Sequence, residues 1–464
     1  MQDKKIYLHL FKTLNSFYLY DTNANSIIKV NEKLYRKLQQ GEDNLNEDPQ
    51  TVSLRERGFL QPIQQPEMCH PLTDKVESYL QNNLSLLILQ VTQNCNLRCK
   101  YCVYSGSYIN RVHSNKRMNF ETAKKAVDYY YNHSKNTEIA SVSFYGGEPL
   151  LEFELIKKVV AYCETKFAGK QLNINMTSNA TLLTSEIMDF LQSHKVNLTI
   201  SLDGPEEVHN RGRVFADSKT GTFAKIMENL KVFENLYPEY VNTIGFNAVL
   251  DEGNDFKASS DFFSFDFLKE ATVTFTTVSN RDVIVEKNIQ EEFIVNFKYE
   301  LFKKFLNCIG RLSEDCVSKL MSVHINKIKN SIHDHLRNPF IFDGKTHPSG
   351  PCVPGMNRLF VTVEGELFPC ERVSESNKVF RLGNLDEGFD IEKVKELLNI
   401  AKLTEKQCSR CWAMGYCDSC AADMGDDNEL ESKKRLERCA AIQFTTDELM
   451  KEYCILRENG YNFD

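Results

Sequence analysis

Apolar runs of strand length alternate with stretches of helical period through the middle of the chain. Leu84 to Val91 is almost continuously apolar and predicts a buried strand. Asn119 can cap a helix over Phe120 to Tyr131. Further strands are expected over 139–145, 172–176, 196–202, 242–250 and 271–277, with helices over 149–167, 185–192 and 223–236 among them. Six strands alternating with helices predict a parallel sheet in an α/β fold. Right-handed crossovers curl such a sheet into a barrel or part-barrel. Functional groups then gather at the C-terminal ends of its strands.

The flanks read differently. Ile6 to Phe11, Phe17 to Tyr20 and Ser26 to Val30 alternate as short strands, with Asn15-Ser16 as a turn. Helices follow over Glu32 to Leu38 and Ser53 to Gly58. The acidic run 42–48 reads as a solvated loop, and Gln61 to Pro66 as a linker. Residues 1–65 therefore form a small separate unit, and 70–82 lead in through one helix. Beyond the strands, 289–312 and 314–335 read as helices covering the barrel. The expected divisions are 1–65, a barrel over 84–310, a helical bridge over 311–346, a cysteine-rich region over 347–440, and a terminal helix or tail over 441–464.

Composition narrows the class. The chain has 464 residues, with 42% hydrophobic and 26% charged, as in globular proteins. A net charge of −8 argues against nucleic acid as a partner. No window is apolar for long enough to span a membrane, and the start, Met1 to Lys5, lacks a signal-peptide core. A cytoplasmic location is expected.

The 15 cysteines change the picture most. Cys69, Cys163, Cys308, Cys316 and Cys454 are scattered and read as small hydrophobes. Cys95, Cys99 and Cys102 fall directly after the first barrel strand. Three such thiolates grip three corners of an iron–sulfur cubane and leave the fourth iron open for a cofactor. A closed zinc site needs a fourth ligand, and the nearest candidate, His113, lies in a polar stretch that reads as a mobile loop. The next strand ends are polar or glycine-bearing: Tyr145-Gly146-Gly147-Glu148, Ser178-Asn179 and Ser201-Leu202-Asp203-Gly204. Each alone fits a turn; on one rim they mark a site. A second set comprises Cys352, Cys370, Cys408, Cys411, Cys417, Cys420 and Cys439. Four of these could make a zinc knot, leaving three idle. Seven thiolates suit two cubanes, one with four ligands and one with three. Gly365, shortly before Cys370, fits a hairpin whose backbone approaches a cluster closely.

Cys95-x-x-x-Cys99-x-x-Cys102, with Tyr101 before the last cysteine, resembles the signature of the radical S-adenosylmethionine (SAM) superfamily. Gly146-Gly147-Glu148 resembles its GGE motif, and Ser201 to Pro205 a strand-end region that contacts SAM. The C-terminal cysteines are similar to a SPASM domain, with Cys417-x-x-Cys420 one residue shorter than usual. The resemblance covers roughly residues 84–440. It implies a partial (β/α)6 TIM-like barrel, and three 4Fe-4S clusters: one that binds SAM and two auxiliary. Cys95, Cys99 and Cys102 would hold the first; Cys352, Cys370 and Cys420 an auxiliary cluster with an open iron; Cys408, Cys411, Cys417 and Cys439 the other. Tyr101, Gly146, Gly147, Glu148, Ser178, Asn179, Ser201, Asp203 and Arg213 would surround SAM. Arg213 reads equally as half of a surface ion pair.

The resemblance further implies that cleavage of SAM yields a 5′-deoxyadenosyl radical, with an electron donor such as flavodoxin or ferredoxin. Among SPASM proteins the N-terminal unit resembles the leader-binding element of peptide maturases. A precursor peptide or protein substrate is expected, with Cys-to-carbon thioether formation as the leading product. Sulfatase maturation to formylglycine is the alternative; it calls for a base after Cys370, where Glu371 stands, although Glu371 beside Arg372 also reads as a surface pair. Carbon–carbon crosslinking is a third reading. A non-enzymatic iron–sulfur or zinc protein is the reading from another class.

Overall fold

A computed structural model describes residues 7–41, 48–61, 67–106, 108, 111–251, 253, 256–264, 271–278, 290–338, 345–348, 352–426 and 429–464. The expected acidic loop, apart from Asp48, and nearly all of the 61–66 linker lie outside these residues. So do Ile6 and the start of the helix expected from 289.

The chain opens with an antiparallel meander, β1 (Leu8–Lys12), β2 (Phe17–Asp21) and β3 (Ser26–Val30), in that order. Alternate residues of β2 face opposite sides. Leu19 packs against the unit's own helices, Glu32–Gln40 and Pro49–Glu56. Tyr18 and Tyr20 pack against the helix Cys439–Glu458 and the segment 325–332. The second helix begins earlier than expected because Asp48 caps it: the carboxylate accepts from the backbone N–H groups of Gln50 and Thr51. Asp48 is thus a buried cap rather than part of a solvated loop.

A short strand β4 (Glu67–Met68) pairs in parallel with β11 (Lys345–Thr346), a contact without any local sequence pattern. Between them lie β5 (Leu87–Thr92), β6 (Ile139–Gly146), β7 (Gln171–Ser178), β8 (Asn197–Ser201), β9 (Gly245–Leu250) and β10 (Thr272–Thr277). These six are parallel and ordered as in the sequence, as expected for the partial barrel. Leu87, Leu89, Val91, Val142, Phe144, Ile174, Leu198 and Ile200 belong to one large core with Val127, Val159 and Leu230 of the helices.

The sheet does not stop at β5. β12 (Leu359–Val361) runs parallel to it, and β13 (Glu366–Phe368), β14 (Gly383–Asn384) and β15 (Gly388–Phe389) continue antiparallel, making ten strands. Gly365 makes the hairpin turn at φ +82°. The cysteine-rich region is therefore welded to the barrel by backbone hydrogen bonds. At its other end, the helix Cys439–Glu458 runs through the boundary expected at 440. The helix expected over 314–335 is broken into Glu314–Cys316, Leu320–Ile328, a π-helical turn over Lys329–His333, and Asp334–Arg337.

Candidate active site

The loop after β5 carries Cys95, Cys99 and Cys102, and two backbones hold it. On one side, Gly147 donates to Thr92 O at 3.0 Å and Glu148 to Asn94 O at 2.9 Å. A Cβ on Gly147 would lie 1.9 Å from Asn94 O, and one on Gly146 2.0 Å from Thr92 O. The two glycines thus let β6 close on the cysteine loop itself. On the other side, Arg98 donates to Val214 O and Lys100 to Gly212 O, both at 2.9 Å.

This second clamp brings Arg213 beside the cysteines, where it is buried and not part of a surface pair. Its Nε lies 3.1 Å from Asp203 Oδ2, with side chains 8% and 4% exposed. Tyr101 donates to the same oxygen, and the guanidinium sits over the Tyr101 ring at 5.3 Å. Val249 N–H donates to the other oxygen. The Asp203 N–H donates to Nδ1 of His209, a fully buried imidazole that no sequence motif marks. Burial, with Arg213 nearby, lowers its pKa to about 4.

Glu148 is equally committed. Its carboxylate accepts from Ser178 Oγ at 2.8 Å, Asn179 N at 2.8 Å and Leu150 N at 3.2 Å, occupying three of roughly four lone-pair sites. Burial pushes its pKa up despite those donors. Asn179 Nδ2 also donates to Asn96 Oδ1 at 2.9 Å, tying the end of β7 to the cysteine loop. Ser201 is buried at the end of β8. Burial raises the Cys95 thiol to about 12 and Cys99 to about 11, Glu148 adding to the first and Arg213 opposing the second.

The seven later cysteines stand in two groups. Cys370 is influenced by Cys352 and Cys420, and Cys352 by Cys420. Cys417 and Cys439 are each influenced by Cys408 and Cys411. Among the described residues, no three His, Cys, Asp or Glu side chains converge closely enough to hold a single metal ion. The cysteines of a cubane each bind a different iron and so span a wider set. The three thiol groups have the donor chemistry of such clusters, and the four-thiol group lines a cavity of about 280 Å³.

Between Cys102 and Cys370 lies a buried polar layer that the sequence did not single out. Tyr145 is acted on by Arg111, Glu371, Cys102 and Glu375. Arg111 Nε lies 2.7 Å from Glu375 Oε2 and is itself influenced by Cys370. Tyr104 donates to Glu375 Oε1 at 2.7 Å, and Gln90 Nε2 donates to the same oxygen at 2.9 Å. Burial drives the pKa of both tyrosines up, so they are neutral donors. Glu371 belongs to this layer and is not a surface residue: its side chain is 13% exposed. Arg358 engages Oε1, while Oε2 is buried and has no hydrogen-bond partner among the described residues. His113, expected in a mobile loop, packs against Tyr104 with ring centroids 5.7 Å apart.

A family model described as the radical SAM superfamily matches residues 89–255, which hold the cysteine loop and five of the six barrel strands. The chain belongs to this superfamily and is a radical SAM enzyme. The superfamily binds a 4Fe-4S cluster and SAM. A relative in Methanocaldococcus jannaschii, an uncharacterized protein, is 33% identical over 48% of this chain and 71% of its own. The cysteine-type anaerobic sulfatase-maturating enzyme of Clostridium perfringens is 26% identical over 75% of this chain and 92% of its own. A solved structure of native anSMEcpe with bound AdoMet and Cp18Cys peptide shares the fold, with a TM-score of 0.57 at 20% identity over 80% of this chain and 99% of that one. The non-enzymatic reading is set aside. Among the described residues, no helix is long and apolar enough to cross a membrane.

Proposed function

We propose that the chain modifies a cysteine of a ribosomally made precursor peptide, joining its sulfur to a carbon as a thioether. One observation carries this reading, a buried polar layer between the two cysteine sets: Tyr104, two residues after Cys102, donates to Glu375, Glu375 pairs with Arg111, and Arg111 Nη2 donates to the backbone carbonyl of Glu371, the residue after Cys370, at 3.1 Å. A substrate lying along that layer meets the hydrogen-abstracting site at one end and a sulfur-binding site at the other. Cys95, Cys99 and Cys102 would hold the SAM cluster, and Cys352, Cys370 and Cys420 would hold an auxiliary cluster able to bind sulfur. Cys408, Cys411, Cys417 and Cys439 hold the second auxiliary cluster. Cluster and SAM together supply the 5′-deoxyadenosyl radical that abstracts hydrogen; that chemistry is the cofactor's.

The protein's own groups position and protonate. Tyr101 and Arg213 converge on Asp203 and hold the cysteine loop against the ends of β8 and β9, beside Ser201. Glu148, Ser178 and Asn179 hold it against the end of β7, and Gly146 and Gly147 admit the close approach. Glu371 Oε2 takes the proton of the substrate thiol, while Arg358 keeps Oε1 engaged and the carboxylate in place. The meander β1–β3 leaves β1 and β3 as edges on which an extended leader can add as a strand. The reduced thiols that all three sites need point to the cytoplasm, with a low-potential flavodoxin or ferredoxin as donor.

Sulfatase maturation is the second reading. The same observation on Glu371 favours it, since a base beside the auxiliary thiols also serves oxidation of cysteine to formylglycine. Anaerobic incubation with SAM, reductant and a cysteine-containing peptide encoded beside the gene separates the two. Loss of two hydrogens with sulfur retained, and fragmentation placing a thioether, supports the first. Loss of sulfur with an aldehyde formed supports the second. Absence of 5′-deoxyadenosine with every peptide tested would overturn both.

A further inference from the structure

The cavity lined by Cys408, Cys411, Cys417 and Cys439 is also lined by Arg435 and Gln443. Arg435 is among the largest fully buried side chains, at 2% exposure. Its Nη1 donates to Ser419 O at 3.2 Å and to Ser419 Oγ at 3.4 Å. Its Nη2 lies 4.0 Å from Cys417 Sγ. The described partners are thus a carbonyl, a hydroxyl and a thiol, none of them a carboxylate. Burying an uncompensated cation costs several kcal/mol, so a guanidinium here needs negative charge inside the cavity.

Two further side chains reach the same sulfurs. Gln443 Nε2 donates to Cys411 Sγ at 3.5 Å, and Thr404 Oγ1 lies 3.2 Å from Cys408 Sγ. Cys439 is the first residue of a 20-residue helix, whose partial positive end therefore faces the same place. Around Cys352, Cys370 and Cys420 the balance differs, because the residue after Cys370 is the carboxylate Glu371, with a side chain 13% exposed. Net charge and hydrogen bonds to sulfur are among the factors that set a cluster's reduction potential. Four thiolates around a cubane carry more negative charge than its irons balance, and one-electron reduction adds to the excess.

We propose that Arg435, assisted by Gln443 and Thr404, raises the reduction potential of the cluster at the four-thiol site. This makes it the resting place of the electron left when the substrate radical is oxidised. One electron arrives and no bond forms or breaks at this site. The inference rests on the reading that these four cysteines hold a cubane. Arg435 and Gln443 act through the ligand sulfurs; they are positioning groups and touch no substrate.

The test is an EPR-monitored redox titration of the reconstituted holoenzyme, with dithionite as reductant and mediators. In Arg435→Gln, one couple should fall at least tenfold in its reduction equilibrium, about 59 mV for one electron, while the others stay. Arg435→Lys keeps the charge and should restore most of the shift. Gln443→Leu should lower the same couple by less. If both Arg435→Gln and Gln443→Leu keep their iron and no couple moves, the proposal is overturned. If Arg435→Gln fails to assemble its iron, Gln443→Leu decides in the same way. Cys408→Ala/Cys411→Ala separates the two levels of inference. Loss of the shifting couple in that variant upholds the ligand reading; its survival sinks that reading and the role of Arg435 with it, whereas an unmoved couple in the Arg435 and Gln443 variants sinks the role of Arg435 alone.

Discussion

The strand-end cysteine loop and the C-terminal cysteine region treat charge in opposite ways. Around Cys95, Cys99 and Cys102 the nearby charges are satisfied: Arg213 by Asp203, and the Glu148 carboxylate by three donors. In the C-terminal region one oxygen of the Arg358-paired Glu371 has no hydrogen-bond partner among the described residues, and Arg435 meets no carboxylate among its described partners. Paired charges fix geometry, since moving either partner exposes the other. Buried polar atoms left without a partner are costly, and they survive where a ligand or a reaction supplies what is missing. The contrast fits side chains that position in the first region and side chains open to a ligand or a proton in the second.

The strongest way to break this comparison is to remove ligands. Cys408→Ala/Cys411→Ala should lose about four irons per chain, while cleavage of SAM to 5′-deoxyadenosine persists. Iron quantitation and chromatography read both; unchanged iron would erase the distinction. Next, Glu371→Gln should slow peptide modification by about 10²–10⁴-fold with 5′-deoxyadenosine formation retained. A variant that modifies peptide at the normal rate removes the Glu371 carboxylate from the chemistry.

Smaller effects sharpen the other side. Arg213→Met leaves Asp203 buried without its cation and should destabilise the fold by about 3–5 kcal/mol, measured by denaturant unfolding of the apoprotein. Asp203→Asn added to it should recover part of that loss, as expected of a pair; simple additivity would contradict it. His209 carries a pH signature. Its folded pKa of about 4 lies below the ordinary 6.5, so the unfolded chain binds the proton more readily. Its contribution is complete above pH 6.5 and is lost as pH falls toward about 4. His209→Gln should flatten that part of the stability curve. Smallest is the contact between the N-terminal unit and the four-thiol region, where the His9 ring stacks on Trp412 with centroids 3.7 Å apart. His9→Ala should cost about 0.5–1.5 kcal/mol and shift the emission of Trp412, the chain's single tryptophan. An unchanged spectrum would mean that the stack does not form in solution.

Much of this was legible along the chain. The order of the six parallel strands followed from their alternation with helices, and the site from polar residues at four strand ends. Misreadings arose where burial decides: Asp48 and Glu371 looked like solvent-facing charges, as Arg213 did in one of its two readings, because a charged residue carries no local mark of depth. Tyr104, Arg111 and Glu375 went unnoticed because they belong to no spaced motif, and Tyr145 was legible only as part of a strand end.

By itself the sequence determined what depends on neighbours a few residues apart: strand and helix periods, the three-thiol spacing of Cys95, Cys99 and Cys102, and the glycines that admit close backbone approach. Tertiary structure alone decided what depends on distant segments meeting. It extended the barrel sheet through β12 to β15, set Tyr104, Arg111 and Glu375 together, and closed Arg435 into a cavity of thiols. The physical reason is that periodicity and spacing act through the local chain, whereas desolvation and charge pairing depend on which remote surfaces pack together.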